Sequence, residues 1–512
     1  MDLYNYNDLA AFGGSNNVAD VLKAMEAGLQ TGMQYNDQIN NGGGLKIESL
    51  DAYIKVLANR LNQLVVYNEM PKQRIENTVH QYNQLYKYGE DVGIFNREGE
   101  TPEETDTQYI RKSIIAKFMG LTGQVTDPAM LAKLAGGMNM YTREVQNKTT
   151  LLLTLIDTNL TSADSTCVEE EFDGIFRQHM MGVASADRGS TEGMSTEQIL
   201  DAYYGSAAVI DAQGGILTDA LVEDAADAVV NVYNGYIDRI VSAPVVFNNY
   251  VKKFHESKRV VVGMANSVVG ATMGQSVNNI VTQFGSVAVK SDKFFDVRKP
   301  IKATATATSP KAPATPVAGG TKSAVVAGGT KSAVVVADAK TNFTLHAGSY
   351  GYLVTARNRY GESAPLKLTD AALAVAATQS VDLQWTAGVG GAYQATAYVV
   401  YRTKKVTALT DTTEYYPIFT IPASMLAAGY DGADATKVRD RNRIIAGTKS
   451  ALIYYNDSQI NEYLQFGDTR KVDFAITAPS RRFAILNYGT PVLYQPAKIC
   501  RIINIGDEGL GA

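Results

Sequence analysis

Residues Ile301–Gly320 have the sequence IKATATATSPKAPATPVAGG, and they interrupt a chain that elsewhere shows helical and strand periodicity. A direct repeat follows, because AGGTKSAVV at Ala318–Val326 recurs at Ala327–Val335. Small residues, proline and glycine bury too little apolar surface to offset the entropy lost on ordering. Lengthening an exposed loop costs little free energy, so a duplication is tolerated there. We therefore predict that residues 301–340 form a linker or a mobile surface ribbon.

Alternating strand patterns follow the linker. SVDLQWT places Leu383 and the single tryptophan, Trp385, on one strand face, and AYVVYR at Ala397–Arg402 predicts the next strand. Together with Y-x-V-x-A-x-N-x-x-G-E-S-A-P at Tyr352–Pro365, these motifs resemble fibronectin type III and related immunoglobulin-like sandwiches. The resemblance implies an all-β sandwich over residues 341–446. Its strand order is permuted, because the tyrosine strand with its Gly-Glu-Ser turn precedes the tryptophan strand instead of closing the domain.

The overall composition excludes several classes of protein. A chain of 512 residues is too long for one core, so two or three domains are expected. Its 47 basic and 52 acidic residues give a net charge of −5, which supplies no basic field for tight nucleic-acid binding and no attraction to a membrane surface. Two cysteines, Cys167 and Cys500, provide no disulfide framework. The N-terminus lacks a signal-peptide pattern, and no apolar run is long enough to span a bilayer, so we expect a soluble protein made inside the cell.

Helical patterns occur at four places. A polar, glycine-punctuated arm covers residues 1–47 with one helical piece near Val18–Leu29, and a helix with an apolar stripe begins at Ser49 and stops before Pro71. A long helix is predicted over Pro128–Leu160, with Leu151, Leu152, Leu155 and Ile156 as its apolar edge. A further helix is predicted over Asp219–Asn234, with Thr218 as N-cap, Gly235 as C-terminal stop, and a buried side formed by Leu221, Ala225, Val229 and Val232.

Between the helix that stops before Pro71 and the helix predicted from Pro128, the period changes to that of a strand. TVHQYNQLYKYG and TQYIRKSIIAKFMG alternate apolar and polar residues on either side of a charged tip in which Thr101, Pro102 and Glu104 form a capping-box-like turn. We predict a long two-stranded ribbon over Glu76–Val125. A hairpin of this kind is only marginally stable alone, so its faces are expected to lie against neighbours.

Strands are also predicted in the remaining core segments. An apolar strand precedes Pro244, VVVG begins at Val260, and TQFGSVAVKSDKFF covers Thr282–Phe295. Long strands return over residues 447–512, divided by turns at Gly489 and Pro496.

No group of residues has the spacing of a catalytic, cofactor or metal site. The four histidines, His80, His179, His255 and His346, are scattered, and ordinary core or surface use explains them better than a role as ligands. The acidic cluster Glu169–Asp173 lacks the alternating oxygens and glycine turn of a calcium loop, so a solvated face is favoured. GGTKS does not have the spacing of a phosphate-binding loop. We assign no catalytic, cofactor-binding or metal-binding residues and expect the protein not to be an enzyme.

The order of the elements resembles the major capsid proteins of tailed bacteriophages, which have the HK-ninety-seven-type capsid fold. Four segments carry this resemblance: LTDALVEDAADAVVNVYNGYIDRIVSAPVVFNNY (Leu217–Tyr250), TQFGSVAVKSDKFF (Thr282–Phe295), DRNRIIAGTKSALI (Asp440–Ile453) and FAILNYGTPVLYQPAKICRIINI (Phe483–Ile505). They correspond to a helix followed by a strand ending at Ala-Pro, the next strand pair, the junction after a sandwich insertion, and the terminal strands. The resemblance extends over about Leu45–Gly506.

This resemblance implies an α+β fold with an inserted sandwich. The implied parts are the N-terminal arm and helix (1–75), the extended loop (76–125, with its ribbon at 78–118), the peripheral domain with its spine helix (126–171), the axial domain (172–300), the linker (301–340), the immunoglobulin-like insertion (341–446) and the C-terminal strands completing the capsid core (447–512). It also implies self-assembly into hexamers and pentamers of an icosahedral shell. The implied partners are portal, scaffold or decoration proteins and packaged double-stranded DNA contacted without sequence specificity, with no membrane. The implied location is the virion, assembled in the cytoplasm of the bacterial host.

Two other functions remain open at this point. A phage tail protein or surface adhesin would use the sandwich to bind carbohydrate, but such proteins usually repeat their modules or form fibrous trimers. An enzyme with a fibronectin-like accessory module would need a cluster of acid, base or nucleophile that the sequence does not show. The sequence favours the shell protein.

Overall fold

The computed structural model describes the chain in ten stretches. They are residues 63–89, 95–101, 104–131, 139–186, 193–254, 277–318, 333–388, 391–428, 437–476 and 478–506. The chain divides into two units, one made of residues 1–57 and 128–143 and the other of residues 58–127 and 144–512. Almost all described residues belong to the second unit, and the packing reported below is within it. The arm over 1–47, the helix from Ser49 up to residue 62, and the strand at Val260 lie outside the described residues.

The described residues form helices α1 (Val65–Glu69), α2 (Asp127–Leu131), α3 (Met140–Ser162), α4 (Ile175–Ala186), α5 (Thr196–Ala202), α6 (Asp219–Asp227), α7 (Pro244–Phe254) and α8 (Ala423–Ala428). The helix predicted over Pro128–Leu160 corresponds to α2 and α3, with residues 132–138 between them not described. On α3 the apolar edge is narrower than predicted, because Leu152 and Ile156 are buried whereas Leu155 is 41% exposed. Thr154 and Asp157 take part in the buried face instead.

The strands are β1 (Lys72–Arg74), β2 (Val79–Lys87), β3 (Gln108–Ile115), β4 (Lys117–Thr126), β5 (Val209–Asp211), β6 (Arg239–Ser242), β7 (Asn279–Thr282), β8 (Gly285–Ser291), β9 (Ile301–Lys302), β10 (Val317–Ala318), β11 (Ala333–Ala337), β12 (Gly348–Tyr350), β13 (Tyr352–Asn358), β14 (Gly361–Glu362), β15 (Leu366–Lys367), β16 (Leu373–Val375), β17 (Gln379–Thr386), β18 (Ala397–Thr403), β19 (Glu414–Pro422), β20 (Lys437–Asp440), β21 (Lys449–Tyr454), β22 (Asn461–Asp473), β23 (Ser480–Leu493) and β24 (Cys500–Ile505). Helices and strands occur together in the core, so the chain belongs to the α+β class, as the sequence predicted.

One six-stranded sheet has the order β5-β24-β21-β6-β8-β7. Val222 of α6, Val229 of the turn that follows it and Phe247 of α7 cover this sheet and pack against Ile240 and Ile502 of the strands. Strand β6 pairs in parallel with β8 and antiparallel with β21. Strands β8 and β21, which lie before and after the predicted insertion in the sequence, are therefore joined through β6.

Helix α6 begins as the sequence predicts and ends differently. The Thr218 side chain accepts a hydrogen bond from the Leu221 amide at 3.3 Å, which confirms the N-cap. After Asp227 the chain continues as one π-helical turn over Ala228–Val232. The wider turn rotates the following side chains out of the α-helical register, so Val232 is 52% exposed rather than buried.

A second sheet has the order β1-β22-β23-β4. Strands β22 and β23 form a long antiparallel pair, and β4 adds to the other edge of β23 from Lys117 to Thr126. Glycines on β4 allow close packing, because a Cβ at Gly123 would lie 2.5 Å from the Phe483 ring. Strands are thus present after residue 447, and β22 begins earlier than the sequence pattern suggested. The turn predicted at Gly489 is wrong, because β23 continues through that residue to Leu493.

The described residues between 301 and 440 form two larger sheets that share one hydrophobic core, and β12 and β16 form a separate two-stranded sheet. In one sheet β13 pairs with β14, β15 and β18, and β19 links β18 to β9; in the other, β17 pairs with β10, β11 and β20. Tyr352 and Val400 from the first sheet and Leu383 and Trp385 from the second are fully buried in the same cluster. The Trp385 and Tyr398 rings pack edge to face with centroids 5.7 Å apart.

The predicted linker contributes strands to both of these sheets. Ile301 and Lys302 pair with β19, and Val317 and Ala318 pair with β17. Ala333–Ala337 pairs with β17 along five residues, and Ala333 is buried in the shared core. Backbone pairing with an existing strand supplies the order that the small side chains cannot supply alone, so the linker prediction is wrong for these strands. Residues 319–332, which include most of the repeat, lie outside the described residues.

We expect Leu383→Ala to lower the free energy of unfolding by roughly 3 kcal/mol, because it leaves a cavity in the core shared by the two sheets. Trp385 is the single tryptophan and lies in the same cluster, so its fluorescence reports this unfolding during urea titration.

The matched control is Val334→Ala on the neighbouring strand β11, where the side chain is 47% exposed. It should leave the fluorescence midpoint nearly unchanged. Equal shifts for the two variants would contradict the assignment of Leu383 to the core.

Candidate assembly surfaces

Strands β2 and β3 form an antiparallel ribbon that belongs to neither large sheet. Their register runs from Val79 opposite Ile115 to Leu85 opposite Tyr109. Because successive side chains point to opposite faces, the ribbon has an outer face with Val79, Leu85, Tyr109 and Ile115 and an inner face with the alternate residues. This confirms the hairpin that the sequence predicted.

The inner face of the ribbon rests on the end of β23. Tyr82 packs edge to face on Tyr494 with centroids 4.9 Å apart, and the Gln84 side chain donates a hydrogen bond to the Tyr494 carbonyl. Ile114 joins a small cluster with buried Leu464 and Val492. Burial raises the pKa of Tyr82, and burial together with the nearby Glu462 carboxylate raises that of Tyr494, so both hydroxyls stay neutral. The ribbon is therefore supported on one face by its own chain, whereas the sequence argument expected neighbours on both faces.

The outer face has no such cover within the described residues. Tyr109 is 67% exposed, Ile115 56%, Val79 44% and Leu85 37%. Towards the tip, Phe95 is 93% exposed and is followed by a turn in which the Glu100 amide donates to the Arg97 carbonyl at 3.0 Å. Large apolar side chains grouped on one exposed face mark an interaction surface. The predicted capping-box turn at Thr101–Glu104 lies partly outside the described residues.

The second arm of the ribbon is shorter than the sequence predicted. β3 ends at Ile115, and β4 begins at Lys117 in the other sheet. Between them Ala116 is 1% exposed, and its amide donates to the Thr78 carbonyl at 2.8 Å. The buried alanine fixes the point at which the strand leaves the ribbon. Phe118, predicted on the ribbon face, instead packs on Tyr488 with centroids 4.9 Å apart.

Ion pairs join the inserted sheets to the core. Arg357 on β13 contacts Glu171 at 2.6 Å, and Arg359 contacts Glu170 at 2.9 Å. The Asp201 carboxylate at the end of α5 lies between Arg441 at 3.1 Å and Arg443 at 2.5 Å. These arginines come from the insertion or from the segment between β20 and β21, and the carboxylates come from the core. The acidic cluster at Glu169–Asp173 is thus a docking surface for the insertion and not only a solvated face.

A buried polar network closes the base of the insertion. The Arg402 guanidinium donates to Asp440 at 2.6 Å and to the Ile444 carbonyl at 2.9 Å, and the Tyr352 hydroxyl donates to Asp440 at 2.9 Å. Burial disfavours the charged guanidinium, but the Asp440 carboxylate, with Tyr352 and Tyr350, more than offsets this and raises the pKa of Arg402. Just beyond, Ile444 packs with Met180 and Ile199 of the core. The end of the predicted insertion is therefore part of two hydrophobic clusters at once, since Ala446 belongs to the sandwich core.

A cavity of about 330 Å³ lies between the core and the insertion. Charged side chains line it, among them Glu197, Asp296, Arg298 and Arg501. Burial lowers the pKa of Arg501 to about 10, and although burial favours neutral Asp296, Arg298 and Lys449 hold the pKa of that carboxyl below its usual range. The charges of opposite sign offset one another, which is the pattern of an internal contact and not of a selective anion or cation site.

The histidines and cysteines are dispersed in the structure as they are in the sequence. His80 lies on the ribbon, His346 contacts the Gln213 carbonyl at 3.1 Å, and His255 lies outside the described residues. His179 is fully buried against the Ile499 carbonyl at 2.7 Å, and burial, with the nearby Arg501, lowers its pKa to about 4. Burial raises the pKa of Cys167 and raises that of Cys500 to about 12.

In the part of the chain that the structure describes, no three His, Cys, Asp or Glu side chains are arranged to hold a metal ion. Over the same residues, no helix has the length and apolar character needed to cross a membrane.

Comparison with known proteins gives similarities in structure only. The chain matches no protein-family profile and no curated protein sequence. It is similar to the capsid of a native GTA particle (9% identity, TM-score 0.42, covering 92% of this chain and 99% of that one). It is also similar to the capsid of cyanophage P-SCSP1u (10% identity, TM-score 0.37, 90% and 93%) and to the holo-SrpI encapsulin complex of Synechococcus elongatus PCC 7942 (6% identity, TM-score 0.38, 88% and 92%). These TM-scores lie below 0.5, so we base no conclusion on them.

We expect Asp201→Asn to lower the free energy of unfolding by roughly 3 kcal/mol, because it removes the carboxylate that pairs with the largely buried Arg443 guanidinium and one of the two that pair with Arg441, which keeps Asp338 at 2.7 Å. The asparagine keeps the shape of the side chain, so the loss reports the charge. Differential scanning calorimetry at neutral pH measures it.

Glu170→Gln is the matched control. Its ion pair with Arg359 is about half exposed on both sides, and exposed pairs contribute little to stability. We expect its transition temperature to equal that of the wild type, and a loss as large as that of Asp201→Asn would show that burial is not what makes the Asp201 pairs matter.

Proposed function

We propose that this chain is a structural shell subunit, the major capsid protein of a tailed double-stranded DNA bacteriophage, with an immunoglobulin-like insertion. The observation that carries the proposal is the outer face of the β2–β3 ribbon. The proposed function is structural and includes no catalysed reaction.

A two-stranded ribbon with one uncovered face is not expected to be stable in a monomer. Two strands without a packed face are only marginally stable in water, and here only the inner face is covered by the same chain. The outer face keeps the apolar pairs Val79–Ile115 and Leu85–Tyr109 in solvent. A second copy of the chain that covers this face removes both the exposed apolar surface and the instability. Repeated around a ring and between rings, such a contact builds a closed shell from one kind of subunit.

The order of elements in the structure supports the capsid resemblance. Helix α6 leads through the π-helical turn to β6, which ends at Ser242. Helix α7 begins at Pro244, and the β7–β8 hairpin comes after it in the chain. The insertion then leaves after β8 and returns at β21, and both of these strands pair with β6. An inserted domain requires a chain segment whose two ends lie close together in the core, and here both ends lie beside β6.

The strand arrangement supports the immunoglobulin-like assignment. Strands β11, β17 and β20 lie in one sheet, and β13, β18 and β19 lie in the other, with Trp385 and Tyr398 in contact between them. Two antiparallel sheets around a buried tryptophan are typical of this class of sandwich. The β13–β14 hairpin precedes the tryptophan strand in the chain, which supports a permuted order.

The proposal also names partners and a location. The subunit would form hexamers and pentamers, meet portal, scaffold or decoration proteins, and enclose DNA that it contacts without sequence specificity. A net charge of −5 favours release from DNA and disfavours trapping on it. Assembly would take place in the cytoplasm of a bacterial host, and the mature location would be the virion.

To test this proposal, the full chain is expressed alone and with a scaffold protein and is then examined by negative-stain electron microscopy. We expect shells, rings or tubes. A monodisperse monomer under all conditions would contradict the proposal and favour the adhesin.

We expect the double substitution Leu85→Ser with Tyr109→Ser to abolish or strongly reduce assembly while leaving the thermal transition of the subunit unchanged, because both side chains are exposed in the single chain. Sedimentation velocity measures the assembled fraction.

Leu345→Ser is the control, since it replaces a 64% exposed leucine of the insertion, away from the ribbon. It should assemble as the wild type does. Normal shells from the ribbon variant would remove the ribbon from the interface.

A further inference from the structure

Helix α1 is held on the core by two carboxylates at its N-terminal end. The amides of Val65 and Val66 donate to Oδ2 of Asp292 at 2.8 and 2.9 Å, and the Tyr67 amide donates to Oδ1 of Asp157 at 2.9 Å. These three amides have no partner within the helix, so the carboxylates satisfy groups that would otherwise be unpaired. Helix α1 leads directly into β1 and then into the ribbon, and its position therefore sets where that segment starts.

The two carboxylates come from separate elements and meet in the interior. Asp157 lies on α3 and is 2% exposed, and Asp292 follows β8 and is fully buried. Asp292 is fixed by its own amide, which donates to the Ser242 carbonyl at 3.0 Å, and by the Phe294 amide, which donates to Oδ1 at 2.8 Å. Oδ2 of Asp157 is buried without a hydrogen-bond donor, and the Asp292 carboxyl group is near enough to raise the pKa of Asp157 through its charge and through a hydrogen bond between the two groups.

The cations near this pair are engaged elsewhere. Glu69 on α1 binds Arg239 of β6 at 2.7 Å and Lys290 of β8 at 2.6 Å. Arg239 also binds Asp238 at 2.9 Å. From β21 the neighbouring titratable group is the Tyr454 hydroxyl, whose pKa burial raises. In the described part of the chain, no ion pair includes Asp157 or Asp292.

Two buried carboxylates without a cation cannot both be ionised at low cost. Burial, and after it the neighbouring Asp292 carboxylate, raises the pKa of Asp157 to about 8. Two amides donate to one oxygen of Asp292, so Asp292 is the better placed of the two to hold the negative charge. Asp157 is then the member that keeps the proton, and its free Oδ2 is where that proton fits.

We propose that Asp157 and Asp292 form a proton-dependent latch that fastens α1 to the core when they share a proton and loosens it when that proton is lost. The latch is a property of the single subunit and does not depend on the proposed capsid function.

The direction of the pH dependence follows from linkage. When α1 lifts away, water reaches Asp157 and its pKa returns towards about 3.9. The latched state thus binds the proton more tightly, its extra stability is complete below about pH 4, and it is lost as the pH rises towards 8. In that window the opening constant of α1 should rise by up to about tenfold per pH unit, and it should level off above pH 8.

The latch can be tested by hydrogen–deuterium exchange of the full chain between pH 5 and 9. The measured rates are corrected for the intrinsic pH dependence of exchange. We expect the protection of the α1 amides to fall with this slope, while the protection of β24 stays constant. Infrared spectra at pH 7 should show a protonated carboxyl band that Asp157→Asn removes.

Asp157→Asn mimics the protonated form, since its carbonyl still accepts from Tyr67 and its amide can donate to Asp292. It should keep α1 protected at every pH. Asp292→Asn removes the neighbouring charge but leaves Asp157 buried, so the slope should end at a lower pH than in the wild type. Asp468→Asn, which changes an exposed carboxylate on β22, should leave the wild-type slope unchanged. Any of three results would overturn the latch. They are a protection of α1 that does not depend on pH in the wild type, a wild-type slope in Asp157→Asn, and the absence of a protonated carboxyl band at pH 7.

Discussion

Strand β6 is the constraint on which the rest of the fold depends. It is only four residues long, yet it pairs with β8 on one side and with β21 on the other. Because β8 precedes the insertion in the sequence and β21 follows it, β6 joins both parts of the six-stranded sheet. Ile240 and Val241 are almost completely buried there, and the pairing cannot slip without exposing them. Because the two ends of the insertion are brought to the same strand, a domain of more than a hundred residues enters the chain without separating the halves of the core.

The insertion is nevertheless not a loosely tethered module. Its polar base around Arg402 and Asp440, its arginine contacts with Glu171 and Asp201, and the packing of Ile444 against α4 and α5 fix its orientation on the core. A buried charge network of this kind tolerates few alternative arrangements, because any shift leaves an ion without its partner. These contacts therefore hold the insertion in one orientation on the core.

The buried charges of the core fall into two groups. Asp201, Asp296 and Asp440 each have a guanidinium beside them. Asp157 and Asp292 instead face each other and the amides of α1. The aspartates of the first group are paired with arginines, whereas Asp157 and Asp292 need a shared proton to hold α1. The second pair lies where the segment leading to the ribbon begins.

The sequence by itself determined the elements whose side chains repeat with a clear period. The ribbon arms, the N-cap at Thr218, the strands of Leu383 and Val400 and the terminal strands were predicted because alternation or capping is encoded within a few residues. The interpretation as a shell protein followed from their order and remains a proposal.

Only the tertiary structure decided what depends on distant partners. The strands at 301–302, 317–318 and 333–337 form because β17 and β19 offer free backbone edges, which their own small side chains do not reveal. Glu171 meets an arginine 186 residues away, and Val65 meets Asp292 across 227 residues, so neither the docking surface nor the latch leaves a local pattern. The break at Ala116 likewise comes from burial between two sheets. Local periodicity reports which face of an element is apolar, and only the folded chain specifies what that face and its charges meet.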